Sequence, residues 1–409
     1  MAREELADWV RLSLTPGLGN SGARKLLAAF GLPATVFGAS ITALQQVVSP
    51  ALAQAVQAIP PKFPETWRQT LAWLDGDDAL ATRQVGAQGF GVRRRIVTLG
   101  DAAYPAALLE MEDPPLLLYL LGAGDFDAMP ASRCIAIVGS RNPTPQGADN
   151  ARQFARALTA AGLTVVSGLA LGVDGAAHEG ALQDEPIDKN PAKPDAPTPD
   201  IQAAAARVRT VAVVGTGLDR VYPRQHLDLA HRIAGQGLLV SEYPLGTPPL
   251  AANFPRRNRL IAGLSRATLV VEAALQSGSL VTARLASEQG KDVLAIPGSI
   301  HAAQSRGCHA LIKQGAKLVE SAEDVLEEFG HSFAIKKIAD TAGGYCAEPV
   351  KDSEKSLLEA LGFDPVGLDA MQARTGLPTP ALQAALFSLE MQGRLARLPG
   401  GLFQRVGAA

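Results

Sequence analysis

The chain has 409 residues, which is long enough for two or three domains with well-buried cores. Its 38 basic and 40 acidic residues leave a net charge of −2, which argues against a protein that coats duplex DNA through bulk electrostatics. The longest apolar stretch, 114–124, is about half as long as a membrane span, so we expect no membrane segment, and the charged N-terminus predicts no signal peptide. Three cysteines at scattered positions predict reduced thiols and a cytoplasmic location, and we expect no metal and no cofactor.

Residues 1–85 predict a helical N-terminal domain. Pro16-Gly17-Leu18-Gly19 forms a turn, after which Asn20 or Ser21 is expected to cap a helix that runs to Phe30 and stops at Gly31. A helix, this turn and a second helix resemble a helix-hairpin-helix (SAM-like) module, which often holds a nucleic-acid backbone through amides. An ordinary helical turn is the commoner arrangement, and the pattern leaves both interpretations open.

Residues 86–335 predict an α/β domain with an extended, Rossmann-like, mostly parallel doubly wound sheet. Seven short runs rich in valine and isoleucine lack polar alternation, which is typical of strands buried on both faces. These runs are 135–138, 163–166, 211–214, 238–240, 269–271, 293–296 and 317–319. Helix starts lie between them at Thr144-Pro145, Ser277 and Ser321. The segment 184–200 has five prolines and five acidic residues, so we interpret it as a disordered surface insertion.

Residues 350–409 predict a C-terminal winged helix, because three helical segments are followed by a hairpin around Pro399-Gly400-Gly401. We expect Thr379 to cap its third helix. That helix has no lysine or arginine before Arg394, whereas a helix that reads duplex DNA needs phosphate-holding and base-reading side chains. A module that contacts protein or inhibits the rest of the chain is the better interpretation.

The turns that follow the predicted strands are rich in glycine and hydroxyl groups. In open parallel sheets, ligands bind beyond the carboxyl ends of the strands, and glycine lets backbone amides approach an anion. Tight turns need glycine in any case, but several such turns on one edge favour an anion-binding edge. Its candidate residues are Gly139, Ser140, Arg141, Ser167, Gly168, Gly215, Ser277, Gly278 and Ser279.

The segment 253–266 has four arginines, one phenylalanine and no acidic residue. Arginine offers a planar fork of donors that matches phosphate oxygens, and an aromatic ring gives a base a surface on which to stack. The candidate contacts are Phe254, Arg256, Arg257, Asn258 and Arg259. The alternative is that the arginines form ion pairs with Glu242 or Glu272, the role that we favour for those two carboxylates.

Enzyme motifs are absent from the sequence. Gly139 is followed by Ser-Arg-Asn rather than by a dinucleotide-binding fingerprint, and no Gly-x-x-x-x-Gly-Lys-Ser/Thr loop occurs. Asp174 and His178 have the spacing of a base and its orienting partner, but a core or helix-stabilising hydrogen bond is the role that we expect. We therefore expect no catalytic residues and no enzyme activity.

Several motifs in order resemble the DNA-processing protein A (DprA) family, over about residues 99–319. They are Gly139-Ser140-Arg141, Ser167-Gly-Leu-Ala-Leu-Gly-Val-Asp174, Gly217-Leu-Asp-Arg-Val-Tyr-Pro223, Ser241-Glu-Tyr-Pro244, Phe254-Pro-Arg-Arg-Asn-Arg259, Ser277-Gly-Ser-Leu-Val-Thr-Ala283 and Ile296-Pro-Gly298. The resemblance implies a single-stranded-DNA-binding homodimer of natural transformation that protects incoming strands and loads the RecA recombinase without catalysis.

Carried over by position, the resemblance implies that the turn at Gly139-Ser140-Arg141 cups a backbone phosphate and that the Phe254–Arg259 stretch lines the path of the strand. Ser277-Gly278-Ser279 would offer amides at a helix start. A nucleotide-binding or nucleotide-cleaving protein of the related lysine-decarboxylase-like group stays the alternative. That group has a Pro-Gly-Gly-x-Gly-Thr run, whereas this chain has Leu275-Gln-Ser-Gly-Ser-Leu.

Overall fold

A computed structural model describes residues 2–76, 91–126, 129–183, 208–330, 357–358, 360–362, 365–398 and 400–405. The acidic, Pro-rich segment at 184–200 lies outside these residues. The predicted domain boundaries near residues 85, 335 and 350 also lie outside them, so they stay predictions. Among the described residues, no helix is both long and apolar enough to cross a membrane.

The N-terminal region is helical, as predicted. Its helices are α1 (Arg3–Ser13), α2 (Gly19–Phe30), α3 (Pro33–Gly38), α4 (Ile41–Gln45), α5 (Pro50–Gln57) and α6 (Phe63–Asp75). The cap predicted for α2 is wrong, because α2 begins at Gly19 after Leu18 and has no side-chain cap. Asn20 instead donates a hydrogen bond to Asp113 (3.3 Å), and Arg24 donates to the carbonyl of Glu112 (2.7 Å). The first turns of α2 therefore pack against the neighbouring sheet domain.

In the described residues the central sheet has nine strands. They are β1 (Arg93–Thr98), β2 (Leu117–Gly122), β3 (Cys134–Val138), β4 (Thr164–Ser167), β5 (Thr210–Val213), β6 (Leu238–Ser241), β7 (Ala267–Val270), β8 (Asp292–Ala295) and β9 (Lys317–Leu318). Their order is β1-β2-β6-β5-β4-β3-β7-β8-β9. The seven strands predicted from the sequence are confirmed and form the parallel part, whereas β1 and β2 were not predicted and join it antiparallel.

Helices cover both faces of this sheet. They are α7 (Ala106–Leu109), α8 (Pro145–Ala160), α9 (Val173–Ala181), α10 (Leu227–Gln236), α11 (Asn253–Leu264), α12 (Ser279–Glu288), α13 (Arg306–Lys313) and α14 (Ala322–Phe329). The caps predicted at Thr144 and Ser321 are confirmed, and Ser321 forms a reciprocal capping box with Asp324. The predicted cap at Ser277 is corrected, because α12 begins two residues later with Gly278 before its first turn.

The sheet domain buries apolar clusters on both sides of the parallel strands, and the two largest of them lie on opposite sides. One cluster contains Val138, Val213 and Leu260, and the other contains Ile137, Phe154 and Leu269. Neighbouring strand residues therefore point into opposite clusters, as strand alternation requires. Trp73 of α6 packs edge-on against Tyr119 of β2, with ring centres 6.0 Å apart, which joins the N-terminal helices to the sheet domain.

The C-terminal region is a winged helix, as predicted. Its described elements are β10 (Val366–Gly367), α15 (Leu368–Thr375), α16 (Thr379–Met391), β11 (Leu395–Leu398) and β12 (Leu402–Arg405). The strands form a small sheet in the order β10-β12-β11 around Met371, Leu386 and Phe403. The predicted cap at Thr379 is wrong by one residue, because Thr379 is the first residue of α16 and Pro378 precedes it.

Candidate nucleic-acid interface

The carboxyl ends of the parallel strands meet at a cleft of about 530 Å³. Most of the predicted site residues line this cleft together. They are Gly139, Ser140, Arg141, Phe254, Arg257, Asn258, Ser277, Gly278 and Ser279. The turn after β3, the start of α11 and the start of α12 therefore form one site, as the strand-end pattern predicts.

The turn after β3 is held tightly against α9 so that Arg141 projects outward. A Cβ at Gly139 would lie 2.7 Å from the Val173 side chain and 2.9 Å from the carbonyl oxygen of Glu272, so only glycine fits there. The carbonyl of Ser140 accepts a hydrogen bond from the N–H of Val173 (3.1 Å). Because this backbone is fixed, the exposed Arg141 side chain extends from a rigid base at the mouth of the cleft.

Phe254 is half-buried and lies beside two flat groups. The guanidinium carbon of Arg141 lies 6.0 Å from the centre of its ring, and the ring of Tyr222 lies 5.4 Å away at an angle of 38°. Gly215 lies directly behind the ring, where a Cβ would come within 3.1 Å of it. Tyr222, which is 48% exposed, was not among the predicted site residues. The one feature of the sequence that could have indicated Tyr222 was its position in the Gly217–Pro223 motif.

Arg257 is internal rather than exposed, with only 4% of the residue accessible. Its guanidinium lies over Gly168, and a Cβ at Gly168 would overlap it. Burial lowers the pKa of Arg257, while attraction to Asp174 opposes that change. Asp174 in turn accepts hydrogen bonds from the N–H groups of Gly168 (3.1 Å) and Ala170 (3.3 Å). Arg257 therefore lines the cleft as a buried cation, with the Asp174 carboxylate close by.

Arg259 forms a buried ion pair with Glu242, so it is also shielded from solvent. Its side chain is 11% exposed and that of Glu242 is 7% exposed. Burial raises the pKa of Glu242, and the attraction of Arg259 partly offsets this rise. Arg256 differs, because its side chain is 52% exposed and lies 3.9 Å from Asp113. The favoured ion-pairing role is thus confirmed for Glu242 with Arg259.

Glu272 has a different role from the predicted one. Its two carboxylate oxygens accept hydrogen bonds from the N–H (2.9 Å) and the hydroxyl (2.6 Å) of Thr144. Burial raises the pKa of Glu272, and these two hydrogen bonds oppose the rise. The prediction that Glu272 orders an arginine is therefore wrong: it secures the start of α8.

The start of α12 presents an open backbone to the cleft. The Ser277 hydroxyl oxygen accepts a hydrogen bond from the N–H of Ser279 (3.3 Å) and lies 2.6 Å from the Ser279 hydroxyl. A Cβ built on Gly278 meets no atom within 4 Å, and the Gly278 carbonyl accepts from the Asn258 amide (3.4 Å). An anion can approach this helix start without steric obstruction.

Three of the predicted residues support the cleft from beneath. Ser167 is fully buried, and its hydroxyl donates to the carbonyl of Ile137 (2.7 Å). Gly168 and Gly215 are buried under Arg257 and Phe254, respectively. These residues position the side chains that line the cleft, so we assign them no contact with a ligand.

His178 is part of the core, as expected. It is fully buried, and its Nδ1 lies 2.7 Å from the hydroxyl oxygen of Thr210. Burial, together with repulsion from His226 and Arg257, lowers the pKa of His178 to about 3. Because Asp174 holds backbone amides and His178 holds Thr210, the two residues serve separate core hydrogen bonds.

Comparisons with known proteins agree on one family. The model of the DNA recombination-mediator protein A family matches residues 95–330, and that of the DprA winged helix domain matches residues 347–401. Protein Smf of Escherichia coli (strain K12) is 40% identical over 303 residues, which cover 73% of this chain and 74% of that protein. DNA processing protein DprA of Streptococcus pneumoniae (strain ATCC BAA-255 / R6) is 44% identical over 229 residues, which cover 56% of this chain and 72% of that protein.

A solved structure gives the same result for the fold. The X-ray structure of DprA from Streptococcus pneumoniae superimposes with a TM-score of 0.54 and 35% identity, over 80% of this chain and 98% of that one. The family match covers more than half of the chain, in the same region that contains the cleft. The chain therefore belongs to the DNA recombination-mediator protein A (DprA) family.

Proposed function

We propose that this protein binds single-stranded DNA along the cleft at the carboxyl edge of its sheet. Arg141 and Arg256 contact backbone phosphates, the start of α12 accepts a further phosphate oxygen, and Phe254 stacks with a base. Arg257 and Asn258 line the path. Gly139 and Ser140 hold the backbone that carries Arg141.

The observation that carries this proposal is the half-buried position of Phe254 beside Arg141 and Tyr222. Stacking on an aromatic ring needs a base that has left the double helix, and base stacking is tolerant of sequence. The neighbouring guanidinium of Arg141 matches the phosphate that follows such a base. The whole chain has a net charge of −2, which leaves little general attraction for duplex DNA.

We further propose a role in natural transformation, in which a homodimer protects incoming single strands and loads RecA onto them without catalysis. Membership of a family described as a DNA recombination mediator supports this role. It is tested by the rate of RecA filament formation on a single strand that is already coated with a single-strand-binding protein. Addition of this protein should accelerate filament formation, and an unchanged rate would refute the loading role.

One fluorescence titration tests the binding itself. A labelled single strand, its duplex and a mononucleotide are compared at the same moderate salt concentration. We expect the single strand to bind tightest. Equal affinity for strand and duplex contradicts the proposal, whereas preferred binding and cleavage of the mononucleotide indicates the lysine-decarboxylase-like alternative.

A further inference from the structure

A second cavity, of about 920 Å³, lies beside the cleft. The exposed Asn142, which directly follows Arg141, lines both cavities, so they adjoin at this residue. A strand that follows the cleft past Arg141 therefore reaches the mouth of the second cavity. Its volume is within the range of small-molecule sites, of about 300–1,000 Å³.

The outer wall of this second cavity comes from the winged helix. Phe403 of β12 points into the winged-helix core, so strand alternation turns Leu402 and Gln404 to the opposite face. Both of these residues line the cavity, together with Leu398, which pairs with Leu402 across the two strands. Gln404 is only 4% exposed, although it lies on the face opposite to the winged-helix core. The cavity therefore lies between two domains.

The lining of the second cavity differs in charge from that of the cleft. Arg141 and Arg257 line the cleft, but Glu272 is the one Asp, Glu, Lys or Arg among the described residues that line the second cavity. Amide side chains such as Asn142 and Gln304 supply much of its remaining polarity. A phosphate has no cation to meet there, whereas a neutral base finds donors and acceptors.

Glu272 gives the cavity a preference among bases. Each carboxylate oxygen has about two acceptor positions, and Thr144 uses one on each oxygen. The remaining positions suit the exocyclic amino group of cytosine, which donates to carboxylates, whereas thymine has no such group.

We propose that the cavity between the sheet domain and the winged helix takes an unstacked base with an exocyclic amino group from the same DNA strand. This inference rests on the proposed function and extends it. The winged helix is then a wall of the single-strand site, and Glu272 selects the base that enters.

Binding of oligodeoxycytidylate and oligothymidylate, each of about 15 nucleotides, tests the base preference with the full chain. We expect the wild type to bind oligodeoxycytidylate about tenfold tighter, which is the worth of one hydrogen bond to a charged group. Leu402→Trp fills part of the cavity with a bulky ring and should abolish this difference, because the base is then excluded. The matched control is Met391→Trp on the same winged helix, since Met391 is 74% exposed and lies outside the cavity. It should keep the preference.

Photocrosslinking of the wild type tests the location independently of any variant. With 5-iododeoxycytidine in the strand, we expect adducts on His301, which also lines the cavity, or on winged-helix peptides that contain Leu398, Leu402 or Gln404. Adducts confined to Phe254 and Tyr222, with equal affinity for the two oligonucleotides, overturn this inference and leave the proposed function standing. Absence of all adducts and of binding overturns both. An unchanged preference in Leu402→Trp also overturns it, because the base would then not enter the cavity that Leu402 lines.

Discussion

Arg259 and Glu242 form an ion pair in which both side chains are almost entirely shielded from water. Arg256 lies three residues earlier on the same helix, α11, and its side chain is half-exposed, 3.9 Å from Asp113. Arg257 lies between them and is buried over Gly168. One arginine-rich segment therefore contains three different environments: an ion pair that anchors α11, a buried cation over Gly168 and an exposed cation.

Arg256 and Arg259 should respond differently to substitution. Arg256→Ala should reduce the slope of log affinity against log salt by roughly 0.7, the effect of one lost phosphate contact on a single strand. Arg259→Ala should instead lower the free energy of unfolding by about 3–5 kcal/mol, because it leaves the Glu242 carboxylate buried without its partner. Salt titration and urea denaturation of both variants provide the two measurements.

One outcome for Arg256→Ala would contradict the predicted phosphate contact. An unchanged salt slope in a variant of normal stability would remove α11 from the path of the strand. Arg68→Ala is a suitable control for both measurements, because Arg68 is a highly exposed arginine of α6 that pairs with Glu65. It should alter neither the slope nor the stability.

Arg141 is expected to hold a phosphate with both arms of its guanidinium. Arg141→Ala should weaken single-strand binding by about 1.5–3 kcal/mol, the worth of hydrogen bonds to a charged group. Arg141→Lys should restore only part of this affinity, because the ammonium lacks the planar fork. Isothermal titration with one oligonucleotide measures all three proteins. Wild-type affinity in the alanine variant would exclude Arg141 from the site.

Much of the fold followed from the sequence, because runs of valine and isoleucine without alternation are typical of parallel strands buried on both faces. Strand β1 was missed since Arg93, Arg94 and Arg95 give it a charged sequence, although it pairs with β2 at the edge of the sheet. Strand β2 is itself apolar, but it lies within the stretch 114–124, which was interpreted only by comparison with the length of a membrane span.

The site was predicted by position but not by the role of each residue. Consecutive residues of a helix point about 100° apart, so one of two neighbouring arginines can be buried while the other is exposed. Which of them is buried depends on the missing side chain at Gly168, nearly 90 residues away in the sequence. Tyr222 was missed for the same reason, because its contact with Phe254 exists only once the turn after β5 meets α11.

Phe254 should contribute to binding without affecting its salt dependence. Phe254→Ala should lose about 1–3 kcal/mol of single-strand affinity, the worth of one stacked base, at an unchanged salt slope. The control is Phe387→Ala, since Phe387 is 63% exposed on the winged helix. If Phe254 were instead a core residue, its removal would lower the free energy of unfolding by about 3–5 kcal/mol. Affinity and melting temperature of the two variants separate these roles.

The buried His178 predicts a loss of stability in acid. The folded-state pKa of His178, about 3, lies below its ordinary value of 6.5, so the unfolded chain binds more protons than the folded chain between these values. The contribution of neutral His178 is therefore complete above pH 6.5 and decreases as the pH falls toward 3. Between these two pKa values, the contribution of His178 to the free energy of unfolding changes by about 1.4 kcal/mol per pH unit.

A His178→Gln variant isolates this contribution, because glutamine does not titrate. We expect the variant to be less stable than the wild type at pH 7.5 and the difference to narrow as the pH is lowered from 6 to 5. Urea denaturation at each pH gives the two free energies of unfolding. A difference that stays constant over this range would show that His178 is protonated as readily in the folded protein as in the unfolded chain.

Gly168 and Gly278 were both predicted as site residues, and alanine should distinguish their roles. A Cβ at Gly168 would overlap the guanidinium of Arg257, whereas a Cβ at Gly278 meets nothing within 4 Å. Gly168→Ala should therefore displace Arg257 and lower the melting temperature, since moving a buried cation from its place is strongly destabilising. Gly278→Ala should leave the melting temperature unchanged and weaken single-strand binding, because the added methyl group lies between the start of α12 and an approaching phosphate.

Melting curves and binding isotherms of the two variants provide the comparison. If Gly278→Ala binds as well as the wild type, the helix start does not contact the strand. If Gly168→Ala retains full stability, Arg257 is not fixed in the position described.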